Sequence, residues 1–354
     1  MRPLALAIRL GGGASRSCTY QVSKVHRHAA IRLWSSCRSL AAPRGSVEAT
    51  SEVASAAQPP PPQLSTLPSV APSPREGAVR AGEAGLSRGT RSSIEIFETS
   101  AYGGLLLGAG GAVFATVAAG SPALAAAAPG AFKVFSAAVF PSGLAMILGT
   151  GQDLLTSNFA YHLLPFVTHP HRNANAKTAL RVWVISAAGN AAGSVVAAAF
   201  AATCIFAGQP AVAAWAGTLA VAKTSLPFGI ALVKGIGANF LVNVAVHMAG
   251  LAQSIGAKVA VAWIPITAFV ALGLEHAVAN MFLVPLGIFL GADVSWEALL
   301  LHNLVPVTLG NLGGAALFVH MFRHATPAAA VAAAAARTPA SHRGHLARWW
   351  HGRY

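Results

Sequence analysis

Glu275, His276 and Asn280 sit in the middle of residues 268–291, AFVALGLEHAVANMFLVPLGIFLG, a run that is otherwise apolar. A carboxylate, an imidazole and a carboxamide within one helical turn and a half can donate to an anion, carry a proton or hold backbone groups. An apolar run of this length can span a bilayer. Ionisable side chains at mid-depth are costly in lipid, so the Glu–His pair is expected to face protein or a water-filled path. The imidazole's ordinary pKa of about 6.5 suits proton exchange near neutral pH. Gly273 and Pro285 bracket the polar group and Pro265 lies upstream, so the helix is expected to be broken, with free backbone groups beside the cluster. The stretch reads as the centre of a transport pathway.

A second stretch repeats the pattern. Asp153-Leu-Leu-Thr-Ser-Asn158 aligns with Glu275-His-Ala-Val-Ala-Asn280 at an offset of 122 residues. Gly189-Asn190-Ala-Ala-Gly193 aligns with Gly310-Asn311-Leu-Gly-Gly314 at an offset of 121. The two acids are expected to cap free amides of half-helices, where the helix dipole favours a carboxylate. An acid lining an anion path would repel its cargo. Asn158, Asn280, Asn190 and Asn311 are expected to tie the broken backbone together.

The elements that must position these groups are apolar. Of 354 residues, 55% are hydrophobic and only 10% charged, against about 25% charged in a soluble domain. Mean hydropathy is +0.58. The expected fold is an all-α polytopic membrane protein with six transmembrane spans, near 96–119, 131–167, 179–207, 228–252, 257–291 and 299–321. The second and fifth are too long for one helix and fit pairs of half-helices. Three spans per half would invert the second half relative to the first, an arrangement used by transporters and channels.

The net charge of +14 comes mostly from the two ends and is no nucleic-acid signal. Residues 1–47 contain no acid but carry eight basic residues, Arg2, Arg9, Arg16, Lys24, Arg27, Arg32, Arg38 and Arg44, which is a transit-peptide composition. Residues 48–92, rich in Pro, Ser, Ala and Gly, read as a disordered linker. The membrane domain is expected over 93–322, followed by a basic, Ala-rich tail over 323–354. Loop charge places both termini on the more positive side, the stroma or matrix of an organelle inner membrane. Cys18, Cys37 and Cys204 offer neither metal spacing nor a disulfide framework.

GQDLLTSN (151–158), KTSLPF (223–228), GIGANFLVNVAVHMAG (235–250), LEHAVANMFLVPLGIFLGA (274–292) and NLVPVTLGNLGG (303–314) resemble the formate/nitrite transporter family, in order and over about 96–321. With a transit peptide in front, the chain resembles the family's green-algal plastid branch, associated with nitrite or bicarbonate entry. The resemblance implies an aquaporin-like fold, a homopentamer with one pore per subunit, no cofactor, and nitrite, formate or bicarbonate as cargo. It places the chain in the chloroplast inner envelope, with the mitochondrial inner membrane as the alternative. It matches His276 to a central pore histidine and Thr156 to a threonine on the loop facing it. Leu154 and Leu155 match constricting residues, Lys223 an outer-vestibule lysine, and Asn239 and Asn280 pore-region asparagines.

Each match has a plainer reading beside it. Thr156 could be a helix N-cap, Lys223 a snorkelling anchor, and His276 a core histidine held by Asn280 or Thr156. Gln152, Leu155, Asn243 and His247 depart from the family's commoner residues. A water- or glycerol-type channel would carry paired Asn-Pro-Ala boxes, which the sequence lacks. An enzyme would need a denser acid, His or Cys constellation than Glu275-His276.

Overall fold

The computed structural model describes residues 71–169 and 175–323. The transit peptide expected over 1–47 and the tail from 324 lie outside the described residues. All regular structure among them is helical: α1 (Pro74–Gly89), α2 (Ser93–Ala119), α3 (Pro122–Ala127), α4 (Pro129–Ala137), α5 (Pro141–Thr150), α6 (Leu155–Thr168), α7 (Ala176–Phe200), α8 (Pro210–Thr224), α9 (Phe228–Leu251), α10 (Ile255–Ala271), α11 (Ala277–Phe289), α12 (Trp296–Ala298) and α13 (Val305–His320). Single π-helical turns extend α7 over Ala201–Ile205 and join α12 to α13 over Leu299–Leu304.

Among the described residues, four helical runs are long and apolar enough to cross a membrane: Ser93–Ala119, Pro129–Thr150, Ala176–Ile205 and Phe228–Leu251. Ile255–Ala271 and Ala277–Phe289 are apolar but shorter. The two long segments expected to be interrupted are interrupted, between α5 and α6 and between α10 and α11. Large apolar side chains on α7, among them Leu180, Val184, Val196 and Phe200, remain exposed at about 60%. Such a surface is suited to lipid or to another subunit.

Close helix contact rests on small residues. A Cβ on Gly193 of α7 would collide with the Ala101 carbonyl of α2, and one on Gly314 of α13 with the Ile236 carbonyl of α9. The Gly-Asn-x-x-Gly repeats thus bring α7 onto α2 and α13 onto α9 at backbone distance.

Two expectations need correction. The linker read over 48–92 ends earlier, because α1 occupies Pro74–Gly89. Its start is a capping box: Ser73 Oγ accepts from the Glu76 amide, and Glu76 accepts from the Ser73 amide. Its buried face is Ala78, Val79, Gly82 and Gly85, followed by Arg88. Composition hid this helix, since the small residues that mimic a linker are those that let α1 lie against α6. Second, residues 208–227, which fall between the spans expected over 179–207 and 228–252, hold α8. It is a 15-residue helix entered at Pro210, too short to register as a span.

Candidate functional site

The site is built at two helix breaks of one design. At the first, α5 ends at Gly151 in the left-handed region (φ 73°), and the Gln152 amide reaches back to Ile147 O at 3.2 Å. At the second, Gly273 (φ 64°) follows α10, and the Leu274 amide reaches back to Phe269 O at 3.1 Å. Both are glycine-dependent helix ends. Three residues outside any helix follow in each, 152–154 and 274–276, the last of each extended, and then a new helix begins.

Extended backbone buried in an apolar protein must find partners. Asp153 N–H donates to Thr99 O at 3.3 Å, and Glu275 N–H to Lys234 O at 3.4 Å. Asn190 Oδ1 accepts from Leu155 N (2.7 Å), while its Nδ2 donates to Ser100 O (2.6 Å) and Asp153 O (3.0 Å). Asn311 Oδ1 accepts from Ala277 N (2.8 Å), while its Nδ2 donates to Gly235 O (2.8 Å) and Glu275 O (3.0 Å). Each asparagine therefore clamps a broken strand to the helix beside it. Asn158 and Asn280 bond side chains instead, Asn158 to Ser186 Oγ and Asn280 to Glu275 and Asn303.

The acids do not cap, contrary to the expectation from the repeat. Asp153 is held by Arg88 (3.0 Å), Arg91 (2.8 Å) and the Thr99 hydroxyl (3.2 Å). Glu275 is held by Lys223 (2.9 and 3.0 Å), Asn280 Nδ2 (2.7 Å) and Asn303 Nδ2 (3.3 Å). Both carboxylates are about 3% exposed. A buried carboxylate is tolerated when a cation and hydrogen bonds compensate it, so the capping passes to the neutral asparagines. Lys223, expected as a charge at a pore mouth, has a side chain only 11% exposed and is neutralised by Glu275.

Between the breaks lies the polar contact the sequence pointed to. His276 Nε2 is 3.0 Å from Thr156 Oγ1. The imidazole is also the side-chain N-cap of α11, its Nδ1 accepting from Ala279 N at 3.3 Å. An Nδ1 that accepts carries no proton, so the neutral ring carries it on Nε2 and donates it to Thr156. The Thr156 hydroxyl hydrogen is then left for another acceptor. Asn239, fully buried, donates to Thr156 O (3.1 Å) and Asn311 O (2.7 Å), and Asn243 donates to Asn239 O (2.7 Å). Phe269 lies against the His276 ring (5.7 Å between centroids) and meets Phe140 edge-on.

Leu154 and Leu155 separate. Leu154 lines a cavity of about 80 Å³, whereas Leu155 is packed in the core and is not part of that cavity's wall. Arg88, Arg91, Thr99 and Asn303 were not singled out from the sequence. Three of them lie at the edge of the discounted linker or just past it. Asn303 lies inside the span expected over 299–321, where sequence gives no sign of which distant group it meets.

The formate/nitrite transporter family model matches residues 75–325. The chain is 39% identical over 238 residues to a probable formate transporter of Methanothermobacter thermautotrophicus, covering 62% of this chain and 81% of that one. It is 31% identical over 217 residues to the formate channel FocA of Haemophilus influenzae, covering 55% and 74%. A solved pentameric formate channel with formate bound superposes with a TM-score of 0.56 at 28% identity, over 65% of this chain and 95% of that one. An ion channel of the same family superposes with a TM-score of 0.61 at 25% identity, over 72% and 98%. The match begins within α1 and ends just past α13, and on that extent the chain belongs to the formate/nitrite transporter family, whose members are transporters and channels rather than enzymes.

Proposed function

We propose that this chain passes a small monovalent anion through each subunit of a homopentamer, and that the anion is nitrite entering a plastid across its inner envelope. Formate stands level with nitrite, because named relatives are formate transporters and channels; bicarbonate follows. The architecture proposed is aquaporin-like, with six spans in two inverted repeats. The paired contacts support it: Arg88, Thr99 and Ser100 correspond to Lys223, Lys234 and Gly235, Asp153 to Glu275, and Asn190 to Asn311.

The observation that carries the reading is the buried His276–Thr156 contact. An anion entering past Leu154 sheds water at an apolar constriction. Beyond it the anion meets the free Thr156 hydroxyl hydrogen, and the His276 Nε2–H becomes a second donor when it turns from Thr156 to the anion. Protonating the ring would put hydrogen on Nδ1, where the Ala279 amide already donates. A proton relay through His276 therefore requires that cap to open, whereas hydrogen-bond donation does not. His276 acts as a donor in the resting geometry.

The test is uptake of labelled nitrite and formate by liposomes holding the full chain, with and without an inward proton gradient. Saturable uptake that His276→Phe lowers at least tenfold, or reorders between the anions, is expected. Uptake no faster than in empty liposomes overturns the reading. Gradient-driven uptake would show that the Nδ1 cap opens during transport.

A further inference from the structure

The cavity outside Leu154 is walled largely by apolar side chains, including Leu144, Ile147, Leu148 and Val246, and it is lined by two cations, Arg88 and Lys258. Arg88 is committed to Asp153, a carboxylate that lines the same cavity, so that pair leaves the wall's charge to Lys258. At the other break Lys223 is committed to Glu275. Lys258, in the first turns of α10 and half-buried, makes no ion pair among the described residues. Among the described residues it is thus a cation on the cavity wall without an ion-pair partner. An unscreened charge within low-dielectric walls concentrates counter-ions. The cavity's 80 Å³ is several times the roughly 10–15 Å³ that one water needs.

Gln152 lines the same cavity. Its Nε2 is engaged with Thr150 O at 3.1 Å, and its Oε1 is sheltered from solvent without a hydrogen-bond partner. A buried acceptor left unpaired is unfavourable until a donor arrives. Nitrite and formate bring only acceptors, whereas hydrogencarbonate also brings an O–H.

We propose that Lys258 and Gln152 form a holding subsite for small oxyanions ahead of the Leu154 constriction, with Lys258 supplying charge and Gln152 favouring an anion that carries a hydroxyl. This rests on the anion-transport reading above. The experiment is labelled nitrite and formate uptake at pH 8 by liposomes containing the full chain, with hydrogencarbonate and nitrite each also used as competitor of formate. Lys258→Gln raises the half-saturating concentration of both labelled anions at least threefold, more than it lowers the maximal rate, and flattens the dependence on ionic strength. Lys258→Arg, which keeps the charge, restores both. Gln152→Met, similar in length but without the acceptor, raises the inhibition constant of hydrogencarbonate at least threefold more than that of nitrite. Unchanged half-saturation in Lys258→Gln overturns the subsite. An equal shift for both competitors in Gln152→Met overturns the hydroxyl preference. A wild-type chain that carries neither labelled anion overturns the transport reading itself, a different result from either.

Discussion

The break after α5 and the break after α10 share a frame and differ in one chemically decisive place. Each has a left-handed glycine, an acid two residues on, a buried cation for that acid and an asparagine clamp. The residue after the acid is Leu154 at one break and His276 at the other. The leucine offers the first helix no cap from its own N-cap position, leaving that to Asn190, whereas the histidine caps the second. The following residues reverse the polarity, since Thr156 corresponds to Val278. One break thus contributes the constriction and the hydroxyl, the other the imidazole. The repeated frame fixes position, and the unrepeated side chains supply the chemistry.

The ion pairs should separate the two breaks most sharply. Lys223→Met leaves Glu275 buried with no cation and is expected to cost about 3–5 kcal/mol, read as loss of folded protein in detergent by thermal unfolding. Arg91→Met leaves Arg88 on Asp153 and should cost well under half of that. Equal losses would mean that the acids are not held as the geometry has them. Replacing a clamp is next in size. Asn311→Ala strands Ala277 N, Gly235 O and Glu275 O, at about 1–3 kcal/mol for each group that stays unpaired. Asn190→Ala should behave alike if the frames are equivalent.

The smallest stability effect and the clearest functional one belong to His276. His276→Asn keeps an acceptor for Ala279 N but removes the Nε2–H. It should unfold within a few degrees of wild type, while uptake falls as far as in His276→Phe. If His276→Asn retains uptake and His276→Phe does not, the cap rather than the donor is what transport needs.

Much of this frame could be read from the chain. Acid and asparagine five residues apart, twice, and Gly-Asn-x-x-Gly, twice, located both breaks and both clamps. They did so because capping and helix crossing impose local spacing. The partners of the acids left no such trace. Arg88 and Asp153 are 65 residues apart, and Lys223 and Glu275 are 52 apart. Nothing along one helix says which distant charge its neighbour will present. Local spacing therefore offers the acids the job of capping, and Lys223 a vestibule only through the family resemblance. The fold showed that neutral amides cap while the charges pair. The cation-bearing helices were missed for a related reason: α1 looked like a linker by composition, and α8 is shorter than a span.

Arg88 sits near the end of the helix that starts at Ser73. Shortening the chain from its start past Arg88 would therefore take one of the two arginines from Asp153. A carboxylate some eighty residues downstream of Ser73 thus sets how much of the first described helix the protein can lose.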